Sequence, residues 1–413
     1  MHLATDGLMS ARSAILAFVL FGVGGCATTL PQPAASPVSS PTRANQTLDR
    51  EAQRDGRFIG LAISGGGSRA AVFGGAMLRE LHRLGLLQQV DVLSAVSGGA
   101  LPAAYYALDG YRSVDFENGF LERMGRNFQQ AVLNRWISPG TVLKHWFTDA
   151  TKSDTVVQVL DEQLFHGATY ADLNPARPKL LLNATNALTG DPFVISDEGF
   201  APLSSPLSSF SVSRAVYMSA AYPGVFDPVA LASSASGSHP AVLAYDGGPS
   251  DNLGIKTLVN LLVKADRRAT LTAQFPKGCL IIAVDATPRI ASEKDQPLSA
   301  STVLLKSHRR EVLERVGITE EQQDRAMFST FTVNGSQSAC TFWHLALRQL
   351  SDDDPLGAKV TRIKTSLGLE QADQEALIRA AHQLMEQGIM TLQDESLGPA
   401  FLHDLGNRTA ASR

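Results

Sequence analysis

Residues 58–70 read FIGLAISGGGSRA, an apolar run followed at once by consecutive glycines. The run Phe58–Ile63 has the length and character of a buried strand, and apolar residues recur at helical spacing between Arg69 and Leu86. The segment therefore predicts a strand, a glycine-rich turn and a helix in succession. Consecutive glycines let backbone N–H groups approach a ligand, and the start of a helix adds positive potential there.

The same order of elements returns immediately downstream. Val90–Val96 (VDVLSAV) is strand-like, Ser97-Gly98-Gly99 is a turn, and Ala100–Leu108 is helical in pattern. Two consecutive strand–turn–helix units favour an α/β fold with a parallel sheet. Further strand candidates are Lys179–Ala184, Phe193–Ser196, Val242–Tyr245, Leu280–Val284 and Thr341–Leu347.

Ser97 is the candidate nucleophile. It follows a strand and opens a helix, and the tight turn of a nucleophile elbow would lift its hydroxyl clear of the sheet. The usual elbow pattern is Gly-x-Ser-x-Gly, and here Ala95 occupies the position of the first glycine. A serine used only as a helix N-cap is the alternative interpretation.

Asp246 is the candidate base, in the segment Tyr245-Asp246-Gly247-Gly248 directly after an apolar strand candidate. We expect it at the carboxyl end of a strand, where open α/β sheets hold their sites. An Asx-turn at a strand exit is the alternative. The glycine-rich turn is equally ambiguous when taken alone, because similar turns bind dinucleotides or serve packing.

Together and in order, GGGSRA (65–70), AVSGG (95–99) and DGG (246–248) resemble the patatin-like phospholipases. The resemblance runs from about Phe58 to Gly254 and includes Asn183–Asn186 and Ser219–Pro223. It departs from the family at Ala70, where a glycine is usual, and at Ser64, where an acidic residue is common. It implies a three-layer α/β/α fold with a mostly parallel central sheet and a helical cap.

The resemblance also implies a chemistry, a Ser-Asp dyad that works without a histidine. Ser97 would be the nucleophile and Asp246 the general base. The oxyanion hole would come from Gly65, Gly66, Gly67 and Arg69, with motif support from Ala95, Gly98, Gly99, Gly247 and Gly248. Such an enzyme cleaves carboxylic esters of lipids, and phospholipid, lysophospholipid, neutral glyceride and thioester substrates all fit one Ser-Asp site.

Two other functions remain open. An α/β-hydrolase with a Ser-His-Asp triad would take its histidine from His344 or His403, following the chain order Ser, acid, His. A catalytically silent, lipid-binding lipoprotein would use the same pocket without turnover. No cofactor is implied, and no spacing of His, Cys and carboxylate residues suggests a metal site.

The N-terminus predicts export and a lipid anchor. The apolar stretch Ala14–Val23 is too short to span a bilayer, and it ends in Val23-Gly24-Gly25-Cys26, which resembles a bacterial lipobox. Residues 1–25 are therefore interpreted as a signal peptide and 26–53 as a lipidated Cys26 with a flexible Pro/Ser/Thr-rich tether. We expect attachment to the bacterial cell envelope, at the outer membrane facing the periplasm or the surface.

The remaining chain is divided into a catalytic core at 54–260, a C-terminal extension of the same domain at 261–394, and a tail at 395–413. The core includes a helical cap at about 116–165, which carries Trp136 and Trp146. Cys279 and Cys340 lie beside strand candidates, and we expect those strands to be neighbours. In an exported protein the two cysteines are either a disulfide or two separately buried thiols.

Composition limits the partners of the chain. Its 413 residues carry 36 Lys+Arg against 40 Asp+Glu, which excludes a basic nucleic-acid footprint as the organising feature. At 44% hydrophobic residues the chain can bury a large core. We therefore expect a membrane lipid substrate and no nucleic acid, and no pattern indicates an oligomeric state.

Overall fold

The computed structural model describes residues 56–108, 119–136, 152–233, 240–266, 271–287, 300–319, 322, 325–333 and 339–392. The predicted signal peptide, Cys26, the tether and the tail with His403 lie outside the described residues, as does Trp146. Within the described residues, no helix combines the length and the apolar character that crossing a membrane requires.

The secondary structure follows the predicted order closely. Each of the seven predicted strands is present, with ends within two residues of the expected ones. The strands are β1 (Phe58–Ile63), β2 (Val92–Val96), β3 (Lys179–Asn186), β4 (Pro192–Ile195), β5 (Val229–Ala232), β6 (Pro240–Asp246), β7 (Cys279–Asp285), β8 (Phe328–Thr332) and β9 (Ala339–Ala346). The helices are α1 (Gly67–Arg83), α2 (Ala100–Ala107), α3 (Gly119–Met124), α4 (Phe128–Trp136), α5 (Lys152–Leu160), α6 (Asp197–Phe200), α7 (Val212–Ala220), α8 (Gly248–Asp251), α9 (Ile255–Asp266), α10 (Leu271–Gln274), α11 (Ala300–Arg315), α12 (Pro355–Val360) and α13 (Gln371–Leu392).

The strands form one mixed sheet in the order β5-β6-β3-β2-β1-β7-β9-β8, with β4 also paired to β3. The centre of the sheet is parallel, because β3, β2, β1, β7 and β9 all run in the same direction. Antiparallel strands complete both sides. The fold class is therefore α/β with a parallel core, as predicted, and strands of the C-terminal extension join the same sheet.

Alternate residues of β1 show why the fold has three layers. Ile59, Leu61 and Ile63 pack into one hydrophobic core with α1, α2 and α13. Phe58 and Ala62 pack into a second core on the opposite face, with α9 and the end of α11. Since successive side chains of a strand point to opposite faces, a strand that is buried throughout needs helices on both sides.

The region predicted as a cap is part of the first core where it is described. Phe120 is fully buried and its ring lies 5.5 Å from that of Tyr105 on α2. Helix α3 also lies against Gly75 of α1, where an added methyl group would approach Met124 within 3.1 Å. Trp136 is half-buried against the same core. The described parts of the predicted cap are therefore integral to the helical layer, and residues 137–151 lie outside the described structure.

The sequence pattern did not predict strands β5 and β8. Both lie at the outer edges of the sheet, and most of their residues are half-buried or exposed. The two strands are only four and five residues long, and neither shows an alternation of apolar and polar residues. The sequence pattern therefore carries little signal at these positions.

Cys279 and Cys340 are direct partners in the register of β7 and β9, and they form a disulfide with a Cα–Cα distance of 4.8 Å. The prediction that they lie on neighbouring strands is confirmed, and the alternative of two separate thiols is wrong. The bond joins two strands of the C-terminal extension within the second core.

Candidate active site

Ser97 occupies a strained turn at the end of β2. Its φ angle is 52°, in the left-handed region that non-glycine residues rarely adopt. The turn packs against the glycine-rich segment after β1: a methyl group on Gly98 would lie 2.0 Å from the Gly67 carbonyl oxygen, and one on Gly99 2.6 Å from that of Ser64. Ala95 is buried in β2 between Ile63 and Leu182, so the elbow forms with alanine at the first motif position.

Asp246 lies beside Ser97 because the carboxyl ends of β2 and β6 meet on the same edge of β3. Ala184 and Thr185 of β3 pair with β4 on one edge and with β6 on the other, so β6 lies on the same edge of β3 as β2. Strand β2 ends at Val96 opposite Asn183, and β6 ends at Asp246 opposite Ala184.

Asp246 lies at the carboxyl end of a strand, as predicted. Strand β6 is antiparallel to β3, so the general rule for carboxyl ends of parallel strands does not by itself bring Asp246 to the site. The end-to-end meeting of β6 with β2 brings the aspartate beside Ser97.

The two side chains are hydrogen-bonded. The Ser97 hydroxyl donates to Asp246 Oδ2 at 2.7 Å, and the Gly248 N–H donates to Oδ1 at 2.7 Å. Asp246 is only 4% exposed. Burial raises the pKa of Asp246 to about 6, against the lowering effect of the hydrogen bonds from Gly248 and Ser97. Gly247 and Gly248 lead directly into α8.

The glycine-rich turn contains N–H groups that are already hydrogen-bonded and others that have no acceptor in the described structure. The Gly65 N–H donates to the Asn252 carbonyl at 2.9 Å, and the Ser68 N–H donates to the Ser366 carbonyl at 2.8 Å. Between them, Gly66 and Gly67 have positive φ angles of 142° and 60°. Their N–H groups have no hydrogen-bond acceptor among the residues that the structure describes. Among the glycines predicted to form the oxyanion hole, Gly66 and Gly67 are therefore the two whose N–H groups are available to a ligand in the described structure.

The Arg69 side chain is engaged by backbone carbonyl groups. Its guanidinium is buried, and it donates to the carbonyl oxygens of Ala286 at 2.8 Å and Ile363 at 2.6 Å. These bonds fasten the start of α1 to the end of β7 and to the C-terminal extension. The Arg69 side chain therefore holds the glycine-rich turn in place through its neighbours.

Three residues from motifs to which the sequence assigned no role support the dyad. The Thr185 hydroxyl donates to the Asp246 carbonyl at 2.9 Å, and the Asn183 amide donates to the Ala95 carbonyl at 3.0 Å. The Ser97 N–H donates to Ser219 Oγ at 2.9 Å. The motifs Asn183–Asn186 and Ser219–Pro223 were visible in the sequence, but their contacts depend on how the strands pair.

His344 is remote from Ser97. The strand order places β1 and β7 between β2 and β9. Three strand spacings correspond to about 14 Å. His344 is fully buried, and its Nε2 lies 3.2 Å from Asp285, which also accepts from Arg309 at 2.7 Å. A triad through His344 is therefore incompatible with this geometry.

The chain is similar to one family model and to several solved structures. Residues 61–259 match the model of the patatin-like phospholipase family. Human GIVD cytosolic phospholipase A2 has the same fold, with a TM-score of 0.54 at 13% identity over 87% of this chain and 62% of that one. VipD from Legionella pneumophila matches with a TM-score of 0.36 at 12% identity, over 80% of this chain and 67% of that one.

The chain is shorter than these structures, spanning about three fifths of the GIVD enzyme. None of the curated protein sequences compared with it matches. The family match covers the glycine-rich turn, the elbow of Ser97 and the Asp246 segment, which are the elements that meet in the structure. Residues 61–259 of the chain are therefore a patatin-like phospholipase domain.

Proposed function

We propose that the chain is a serine acyl hydrolase that cleaves carboxylic esters of lipids through Ser97 and Asp246. The observation that carries the proposal is the 2.7 Å hydrogen bond from the Ser97 hydroxyl to Asp246, at an elbow packed against the Gly66–Gly67 turn. A nucleophile, its proton acceptor and two free backbone donors are the groups that acyl transfer needs.

In this mechanism Ser97 Oγ attacks the ester carbonyl carbon while its proton passes to Asp246 Oδ2. The carbonyl oxygen becomes an oxyanion and accepts hydrogen bonds from the Gly66 and Gly67 N–H groups. Collapse of the tetrahedral intermediate returns the proton to the leaving alcohol and produces an acyl-enzyme. Water then attacks the acyl carbon while Asp246 accepts its proton. Collapse of this second intermediate breaks the bond to Ser97 Oγ, returns the proton to Oγ and releases the carboxylic acid.

The raised pKa of Asp246 suits this role. A free aspartate is a poor acceptor for a serine proton because its pKa is near 4. Burial raises the pKa of Asp246 to about 6, which increases its affinity for the proton while leaving it ionised at neutral pH.

A fluorophosphonate probe and a p-nitrophenyl ester test the proposal. We expect covalent labelling of the wild type at Ser97, turnover of the ester, and neither in a folded Ser97→Ala variant. Labelling that persists in Ser97→Ala would refute the assignment of the nucleophile. A folded wild-type protein that turns over no ester would favour the silent lipid-binding alternative.

The substrate class needs its own experiment. We propose a phospholipase A or lysophospholipase type of activity, because the family carries that chemistry. Purified enzyme is incubated with mixed bacterial phospholipids, and the products are identified by mass spectrometry against the Ser97→Ala control. Free fatty acid and lysophospholipid are the expected products. Release from neutral glycerides alone would assign the enzyme to another class of ester.

We further propose that Cys26 is lipidated and holds the domain at the bacterial outer membrane. The segment Val23–Cys26 supports this, and so does the Cys279–Cys340 disulfide, since such bonds form and persist in oxidising compartments outside the cytosol. Cys26→Ala should lose the lipid label and leave the membrane fraction. Unchanged fractionation and labelling would contradict the anchor, and separation of inner and outer membranes identifies the site of attachment.

A further inference from the structure

Three hydrogen bonds tie both halves of the dyad to one short segment, residues 219–221 at the end of α7. The Ser97 N–H donates to Ser219 Oγ at 2.9 Å. The Gly247 N–H donates to the Ser219 carbonyl at 3.2 Å, and the Asp246 N–H donates to the Ala221 carbonyl at 3.0 Å. The nucleophile and the base therefore share a common support, and one of its three bonds uses a side chain.

That side chain is well defined by its surroundings. Ser219 is fully buried, and its hydroxyl donates to the Asn183 carbonyl at 2.6 Å. Because a hydroxyl has a single proton, the proton is committed to Asn183 and a lone pair faces the Ser97 N–H. Val96 and Asn183 are the last partners in the register of β2 and β3. The hydroxyl thus bridges the two strands where their backbone pairing ends.

The position of this bridge matters because Ser97 is strained. A φ angle of 52° at a serine is costly, and such conformations persist only where surrounding contacts fix them. Beyond the end of the β2–β3 pairing, the bond to Ser219 is the contact that fixes the Ser97 N–H. Its loss would let the backbone at Ser97 relax and move Oγ away from Asp246.

We propose that Ser219 is a positioning residue that holds the Ser97 backbone in its strained conformation and so keeps the hydroxyl on Asp246. The role rests on the proposed function of the dyad. The Ser219 hydroxyl contacts the backbone N–H of Ser97 and not the substrate. We therefore expect its loss to slow the attack on the carbonyl and to change substrate binding little.

The test compares Ser219→Ala with two other variants. Ser219→Cys keeps a side chain of similar size with a weak hydrogen-bonding group. Ser213→Ala is the matched control, because Ser213 is another buried serine of α7, 1% exposed, which bonds to Ser211 Oγ. Fluorophosphonate labelling rates and ester kinetics are measured per folded molecule, with the folded fraction taken from thermal unfolding followed by circular dichroism.

For Ser219→Ala we expect the labelling rate and kcat to fall about tenfold to a hundredfold, the scale of a nucleophile displaced by about 1 Å. The KM for p-nitrophenyl butyrate should stay within about twofold, since binding is unchanged. Ser219→Cys should lie between Ser219→Ala and the wild type, and Ser213→Ala should match the wild type.

Wild-type labelling rates in folded Ser219→Ala would overturn the role of Ser219 and leave the dyad intact. If Ser219→Ala does not fold, Ser219→Cys decides in the same way: a reduced rate supports the role and a wild-type rate overturns it. A wild-type protein that does not react at Ser97 would instead overturn the proposed function, and the role of Ser219 with it.

Discussion

Two buried carboxylates, Asp246 at the end of β6 and Asp285 at the end of β7, belong to the same sheet but have different partners. Asp246 accepts hydrogen bonds from the Ser97 hydroxyl and the Gly248 N–H, both of which are neutral groups. Asp285, at the end of β7, accepts from the Arg309 guanidinium at 2.7 Å and lies 3.2 Å from His344 Nε2. Both are at most 4% exposed, so burial alone does not distinguish them.

Because their partners differ, the pKa of Asp246 is raised and the pKa of Asp285 is lowered. Burial raises the pKa of Asp246 to about 6 because its neutral partners compensate only in part. Burial would likewise raise the pKa of Asp285, but the charge of Arg309 and the bond from His344 hold it well below 3.8. A base must have affinity for a proton, so Asp246 suits catalysis and Asp285 suits a structural ion pair.

The largest expected effect is the loss of activity at Asp246. Asp246→Asn keeps the shape of the side chain but cannot accept the serine proton, so kcat/KM should fall by roughly 10⁴-fold or more. The same substitution at Asp285 should leave kcat/KM within about tenfold for folded protein, since the group takes no part in the chemistry. Ester kinetics on the two variants, corrected for folded fraction, measure the difference.

His344 extends this contrast to the triad alternative. His344→Ala should leave fluorophosphonate labelling of Ser97 intact, because three strand spacings separate the two residues. A loss of several orders of magnitude in folded His344→Ala would mean that the histidine, and not Asp246, accepts the proton. His403→Ala, measured alongside, applies the same test to the other histidine.

The next largest effect is on stability at Asp285. Asp285→Asn removes the anion that Arg309 and His344 face, and breaking one side of a buried ion pair costs about 3–5 kcal/mol. The free energy of unfolding from urea titration at pH 7 gives the value. A loss below about 1 kcal/mol would contradict the prediction, because it would mean that this buried pair contributes no more than an exposed salt bridge.

The disulfide should contribute somewhat less. Cys279 and Cys340 are 61 residues apart in sequence, and removing a native cross-link typically costs about 2–4 kcal/mol. The double variant Cys279→Ala/Cys340→Ala should unfold at lower urea concentration and label at Ser97 at the wild-type rate. A slower labelling rate in folded protein would contradict this expectation and would mean that the β7–β9 pair affects the position of Ser97.

The smallest expected effect is a gain of stability in Asp246→Asn at high pH. Asp246 titrates near 6 when folded and near 3.8 when unfolded, so above pH 6 its buried charge destabilises the fold. As the pH falls from 6 towards 3.8, the folded state takes up the proton first and this destabilisation disappears. Asp246→Asn should therefore be more stable by about 1–3 kcal/mol at pH 8 and show little gain at pH 4.

The pH dependence of the free energy of unfolding has the opposite sign at Asp285, because its folded pKa is lowered. Its stabilising contribution is present above pH 3.8 and is lost as the pH falls through its lower folded pKa. Activity depends on ionised Asp246, so kcat/KM should fall below about pH 6. Urea titrations from about pH 2 to 8 and ester kinetics from pH 4 to 8 check both, and an acid limb near pH 4 would contradict the raised pKa of Asp246.

Much of the fold and the core of the candidate site could be predicted because the signals are local. Short apolar runs predicted seven strands, and the elbow at Ser97 follows from a serine between a strand and two glycines. The resemblance of three short motifs to a known family implied which carboxylate meets it. Each strand and each motif depends on residues a few positions apart, whose preferences act whether or not the rest of the chain has folded.

The sequence by itself thus determined the α/β class, the nucleophile turn and the identity of its acidic partner. Only the tertiary structure decided that β6 runs antiparallel and meets β2 end to end, that the Gly65 N–H is taken by Asn252, and that Ser219 bridges Ser97 to Asn183. These contacts join residues far apart in the chain. Strand direction and the assignment of each backbone hydrogen bond are set by packing of the whole sheet, and no local pattern of side chains records them.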